Sequence, residues 1–449
     1  MLTLGILGML AFDRCRADET ISFRSHIAPI LRDACLACHN AKKAEGSYRV
    51  DSYAELIKAG DSGEPPVATI EEGGGEFLRR ITCDDDFERM PADSDPLSPE
   101  QTERIRAWVV AGSQFDGDDP RRGLLHVIPP VKHQDPPASY PRPIPLAAIA
   151  GTPDGQQVVV SGYHEVTVWN LRDGRLARRI PNIGQRVYAL AFSEDGETLA
   201  VGCGQPGRYG EVRLVHFHSG TLRAVVARAE DVVLDVAFRP GTAEIAVASA
   251  DNLIRIVDTV SLEEVRTLAS HADWVSCVCW DHEGSRLASA SRDQSVKVFD
   301  ADSGSLLTSY QGHRAAVRGV TFLADGQQLV SIGADKKLHR WKCEDATKVA
   351  EVALGAEGYK PLRNEADIFV PLANNRLLRI DMETNQIAHQ YQGHTDWVLS
   401  AALVESVGPK SAASPSAATR QLASGAFNGE LILWELDEAT RFRSWLAIP

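Results

Sequence analysis

Methionine is scarce in this chain, with four in 449 residues at positions 1, 9, 90 and 382. Past the leading segment, the N-terminal third therefore has a single thioether, Met90. Long apolar runs are scarce too. The 11 residues 2–12 (LTLGILGMLAF) stand out, yet they are too short to cross a bilayer, and no other stretch reaches a spanning length. A soluble or peripherally held mature chain is expected, with membrane attachment only through an uncleaved leader. Positive charge is in deficit, 47 Lys and Arg against 61 Asp and Glu, for a net of −14. That sign disfavours nucleic acid and would steer a basic protein partner.

The leading apolar run suits the core of a signal peptide. Cys15-Arg16-Ala17 places small residues at both cleavage-defining positions, so a leader over 1–17 and a mature start at Asp18 are expected. No Lys or Arg precedes the run, and Cys15 lacks the preceding residues of a lipidation site.

The pentapeptide Cys35-Leu36-Ala37-Cys38-His39 constrains chemistry most tightly. Two thiols three apart meet the two vinyl groups of a haem, and the adjoining imidazole lies under the iron as its proximal ligand. A zinc or dithiol site is the competing reading, because Cys-x-x-Cys serves both. Zinc would need further ligands, and this region offers Cys83 and His26. For the other side of the iron Met90 is the local candidate, in the irregular Arg89-Met90-Pro91 loop, with His26 as fallback. A methionine filling a core gap is the blander alternative. Covalent haem attachment is an export-side process in bacteria, so a periplasmic or otherwise exported location is expected.

Eight prolines fall between positions 120 and 145, a composition that favours an extended connector over 120–143. Residues 18–120 hold 22 acidic and 11 basic side chains, a net of −11. This acidic segment reads as a helical haem domain over 18–119. Its last helix is announced by Ser98 as cap, Pro99 at the first position and Gln101 closing a capping box, and it lays Ile105, Trp108 and Val109 on the core.

From residue 144 to 449 a repeat of about 42 residues appears. Acidic or Gly-bearing turns place glycines at 155, 196, 241, 284 and 326, spacings of 41, 45, 43 and 42. That period with short alternating strands predicts a WD40-type propeller of seven blades, the sixth degenerate and the seventh carrying an insertion at 406–420. His313, Ser331, Asp335 and Trp341 stand at the spacing of a hydrogen-bonded structural tetrad. His271, Ser289 and Asp293 repeat it, with Phe299 for the indole; His394, Ser424 and Trp434 do so with Asn428 for the acid. Recurrence at equivalent positions favours structure over a Ser/His/Asp active site. Cys203, Cys277, Cys279 and Cys343 read as buried free thiols. No cluster of metal-ligand residues and no cofactor motif is expected in the repeats. Either the Leu124 to Ile128 segment or Phe442 to Ile448 is expected to supply the final outer strand.

Residues 27–116 resemble a planctomycete-type cytochrome c domain. The resemblance rests on Ile27-Ala28-Pro29-Ile30-Leu31, the pentapeptide, the Gly46 to Asp51 loop, Arg80-Ile81, Met90-Pro91, and Leu97-Ser98 leading to Trp108 and Gly112. Residues 144–448 are similar to the WD40 propeller often fused behind it. The resemblance implies one covalent haem c per chain, with Cys35 and Cys38 as thioether sites, His39 as proximal ligand and Met90 as distal ligand. The expected fold is multidomain, a small all-α cytochrome c-like domain followed by an all-β seven-bladed propeller. The expected function is single-electron relay to a redox partner protein or complex docked on the propeller, without nucleic acid. An enzyme using the cytochrome as built-in electron acceptor, and a redox-sensing scaffold, are the alternatives.

Overall fold

In the computed structural model, which describes residues 21–449 apart from 42, 93, 407–418 and 437, the chain divides into two compact units, Met1–Pro129 and Pro130–Pro449. The expected leader over 1–17 and most of the 406–420 insertion lie outside the described residues.

The first unit is small and helical. Its elements are α1 (Ala28–Ala34), α2 (Tyr53–Leu56), α3 (Gly75–Thr82), α4 (Pro99–Val110) and α5 (Leu124–Val127). Pro29 sits in the first turn of α1, where its missing N–H costs no helical bond. Ser98 and Gln101 close the capping box of α4 reciprocally, at 3.2 and 2.9 Å. Gly75 opens α3 at a left-handed φ of 91°, and a Cβ there would stand 2.4 Å from the Pro66 carbonyl oxygen, so only glycine lets the helix start against that loop. Phe23, Ile27, Leu31, Ile105 and Trp108 are wholly buried and form the core. The Leu124 to Ile128 segment joins this core as α5 and is not an outer strand of the second unit: Leu124 and Val127 are buried among the helices.

The second unit is sheet-rich and WD40-like. One seven-stranded sheet is followed by five four-stranded antiparallel sheets, each built from consecutive strands. The large sheet contains two repeat units that share the 17-residue strand Leu176–Phe192. Residues 176–181 pair with Tyr163–Asn170, and residues 186–192 pair with Thr198–Gln205. Pro181 lies where the ladder changes partner, a position at which a missing donor is tolerated. The later units occupy 233–268, 275–310, 317–353, 362–392 and 398–446. The degenerate sixth has all four strands, Leu362–Asn364, Asp367–Pro371, Arg376–Asp381 and Gln386–Gln392. Arg441–Leu446 forms the last outer strand, paired with Glu430–Glu435. The first and last units share one core, in which Ile149, Val158 and Val160 meet Val404, Ala423 and Leu433.

Residues 130–148 lie on this sheet-rich unit. Arg213 donates to the Val131 carbonyl, and His133 meets the buried Glu211 carboxylate at 2.5 Å. Arg179 grips wholly buried Glu165 through two bonds of 2.7 Å and also donates to the carbonyls of Pro137 and Ala138. Tyr140 donates to the same Glu165. Leu146 then bonds the Ala426 carbonyl at 3.1 Å and accepts from Ser400 at 2.7 Å, both on the last unit. The segment is therefore a strap across the second, first and last units.

Candidate functional site

In the helical unit the end of α1 turns directly into the Cys-x-x-Cys-His segment. The amides of Cys38 and His39 both bond the Cys35 carbonyl, at 3.2 and 3.1 Å, which winds the pentapeptide into a tight turn. Cys35, His39 and Met90 line one cavity of about 420 Å³. Its walls are largely apolar, with Val50, Phe77 and Ile81 prominent. Cys38 is half-buried beside Lys43, whose ammonium lies 3.5 Å from its sulfur, and is not part of the lining. His26 and Cys83 also stay outside. His26 instead accepts from the Ser22 amide at 3.0 Å and caps the first turn, as a residue decorating that helix would.

The His39 ring is oriented from behind. Its Nδ1 lies 3.2 Å from the Tyr48 carbonyl oxygen, so Nδ1 carries the proton and Nε2 keeps a free lone pair. The loop that presents this carbonyl is itself braced: the Asp61 amide bonds the Gly46 carbonyl at 2.8 Å, and a Cβ on Gly60 would meet that same oxygen at 2.5 Å. Tyr48 is pinned by its hydroxyl, which donates to the Leu56 carbonyl. Met90 arrives on a loop fixed to α3 by its amide bond to the Arg80 carbonyl, 3.0 Å long. Burial, with Cys38 beside it, pushes the Cys35 thiol up to about 12, so it stays protonated in its apolar setting. Arg79 and Arg80 hold Glu76 down at about 2 at the cavity edge.

This donor set fits a covalently attached haem. It combines thiols at the vinyl spacing, an imidazole with its outer nitrogen satisfied and its inner one free, a thioether, and apolar walls. Zinc fits less well, because neither Cys83 nor His26 reaches the cavity to complete a ligand set. The Tyr48 carbonyl escaped sequence reading because a backbone acceptor has no residue-type signature.

In the sheet-rich unit the tetrads assemble. His313 bonds Ser331 at 2.8 Å and Asp335 at 3.0 Å, and Trp341 donates to Ser331 at 3.2 Å. His271 repeats this with Ser289 at 2.7 Å and Asp293 at 2.8 Å. In the last unit the expected acid position is corrected: His394 Nδ1 faces Glu430 at 3.2 Å, while Asn428 bonds Thr395. The glutamate two residues further along the turn reaches the imidazole that the shorter amide does not. Cys203, Cys277, Cys279 and Cys343 are all free thiols; Cys279 is only half-buried, and the other three are buried.

The expectation of no metal-ligand cluster is also corrected, because His313, Asp335 and His339 bring ligand atoms within 4.8 Å of one another. Their arrangement does not suit an ion. The two imidazoles are stacked at 4.0 Å with planes 11° apart, so their in-plane lone pairs run parallel, and both nitrogens of His313 are already bonded.

Comparison with known proteins agrees with both halves. Residues 35–94 match the planctomycete cytochrome C family, and residues 262–300 and 304–342 each match the WD domain, G-beta repeat. The similar curated proteins are WD repeat proteins. Actin-interacting protein 1-2 of Arabidopsis thaliana is 29% identical over 176 residues, covering 38% of this chain and 28% of that protein. Poly(A)+ RNA export protein of Schizosaccharomyces pombe is 33% identical over 135 residues, covering 29% of this chain and 38% of that one. WD repeat-containing protein 1 of Xenopus tropicalis is 26% identical over 181 residues, covering 38% of this chain and 29% of that protein. The chain thus spans about 30% of the length of the curated relatives it matches.

Proposed function

We propose that this protein is an export-side c-type cytochrome with one covalent haem, relaying single electrons to a protein partner docked on a closed seven-bladed propeller. The observation that carries the reading is the meeting of Cys35, His39 and Met90 in one apolar cavity, with His39 Nδ1 already committed to the Tyr48 carbonyl. Cys35 and Cys38 would hold the group covalently, and His39 and Met90 would ligate its iron. When bound, haem would supply a one-electron Fe(III)/Fe(II) couple.

The chain's own residues do the rest. Tyr48 fixes the imidazole plane and its tautomer, the Arg80 carbonyl holds the Met90 loop, and Val50, Phe77 and Ile81 exclude water. Ring closure is supported by the core shared between the first and last units. The WD repeats support a protein-interaction scaffold, as do relatives named for interacting with actin and for poly(A)+ RNA export. Should the chain carry no haem, the redox-independent scaffold is the reading that those repeats favour.

The test is expression in a host with haem-maturation machinery. The protein should stay red after acid-acetone extraction and give a c-type pyridine haemochrome, and Met90→Ala should abolish the weak band at about 695 nm that thioether ligation gives oxidised haem. A colourless or extractable product refutes the cytochrome, and a band that survives in the variant refutes Met90 as ligand.

A further inference from the structure

At one outer corner of the large sheet, three donors converge that neither the tetrads nor the haem cavity uses. Strand Tyr209–His216 ends at His216 and passes into a turn that opens with Phe217 and His218, and its partner strand begins at Thr198, directly after Glu197. Phe217 is buried and carries the Arg178 guanidinium 4.4 Å above its ring. With Phe217 anchored inward, the imidazoles on either side of it are exposed, at 48% for His216 and 69% for His218. The Phe217 amide bonds the Glu197 carbonyl at 2.8 Å, which brings the glutamate opposite them. Arg178 also donates to the His218 carbonyl at 2.8 Å and steadies the second histidine's backbone.

The carboxylate is divided between the two rings. Glu197 Oε2 lies 3.5 Å from His216 Nε2, and Oε1 lies 3.7 Å from His218 Nε2. Donor atoms on a tetrahedral ion with bonds of about 2.0–2.1 Å stand roughly 3.3–3.4 Å apart, and each imidazole is near that distance from one of the two carboxylate oxygens. His216 Nδ1 faces the Ser219 hydroxyl at 3.3 Å, and Ser219 contacts Thr221 at 2.7 Å. That is the arrangement in which an outer partner on one ring nitrogen frees the other for a metal. The ring centroids are 6.4 Å apart, so closing the shell takes a rotation of the exposed imidazoles.

We propose that His216, His218 and Glu197 form a surface site for a divalent transition-metal ion of the zinc class. Two imidazoles and a carboxylate select such an ion over calcium or magnesium, which take oxygen shells. Three protein donors leave the fourth position to water or to a donor from a docked protein. The site differs from the His313, Asp335 and His339 cluster in that both Nε2 atoms face a carboxylate of the site itself and sit on exposed side chains. The inference does not depend on the haem.

The test is equilibrium dialysis of the full chain, stripped with chelator, against micromolar Zn2+, with bound metal counted by mass spectrometry. The wild type should take up one zinc that His216→Ala and His218→Ala each lose. Ser219→Ala should weaken uptake about 10-fold, and His389→Ala, removing an exposed imidazole elsewhere, should leave it unchanged. Absence of uptake by the wild type, or the same uptake by the His216→Ala/His218→Ala double variant, overturns the site.

Discussion

Acidification should weaken the last propeller unit through His394. Its side chain is wholly buried, with Nε2 bonded to Ser424 at 2.7 Å and Nδ1 facing Glu430. Burial, assisted by the Arg441 cation, holds the imidazole down at about 4. A depressed folded value favours the neutral ring, so the unfolded chain takes up its proton first as pH falls. Stability is therefore full above about pH 6.5 and is lost on descending towards 4. Between about pH 7.5 and about pH 5 the difference integrates to about 2 kcal/mol. Glu430, raised by burial, works in the opposite sense by gaining its proton early, and it offsets part of that loss. Urea unfolding followed by circular dichroism at both pH values, for the wild type and His394→Asn, isolates the contribution because the other histidines cancel. The wild type should lose about 1–2 kcal/mol more than the variant. An identical loss in both proteins would refute the assignment.

Ser424→Ala leaves two buried ring nitrogens without a partner, because the hydroxyl accepts from Trp434 Nε1 and donates to His394 Nε2, both at 2.7 Å. A stability loss of about 1–3 kcal/mol is expected, and a loss below about 0.5 kcal/mol in the same urea assay would show the tetrad to be ornamental. Glu165→Gln removes the charge that Arg179 pairs with and weakens the grip on Tyr140, at an expected cost of about 3–5 kcal/mol for breaking a buried pair. Limited proteolysis should then cut within residues 130–145 much faster than in the wild type; equal cleavage rates would contradict the strap.

Legibility in the sequence followed the range of the interaction. The pentapeptide, the Ser98 capping box and the tetrads of the fourth and fifth units have fixed spacings, because a short turn or one repeat sets the distance between partners. The repeat spacing points to Asn428, but the partner of the His394 imidazole is chosen by reach, and Glu430 is the side chain that reaches it. The proline content of 120–143 says extended, but the anchors that fasten the strap, Glu165, Arg179, Glu211 and Arg213, lie in distant strands and read as ordinary strand charges. The pairing of His339 with His313 had no signal either, since stacking depends on two strands meeting in register.

The first unit pairs its strands within the large sheet and the last unit within its own four-stranded sheet, so no hydrogen-bonded strand is exchanged where the two meet. That join is spanned by a strap fastened at several points along its length. Tension arriving from the N-terminal side would be resisted first at Val131 and His133, next at Pro137 to Tyr140, and only then at Leu146, the fastening that touches the join itself. The ionic clamps at His133 and Arg179 thus stand between the start of the strap and the seam that Leu146 touches.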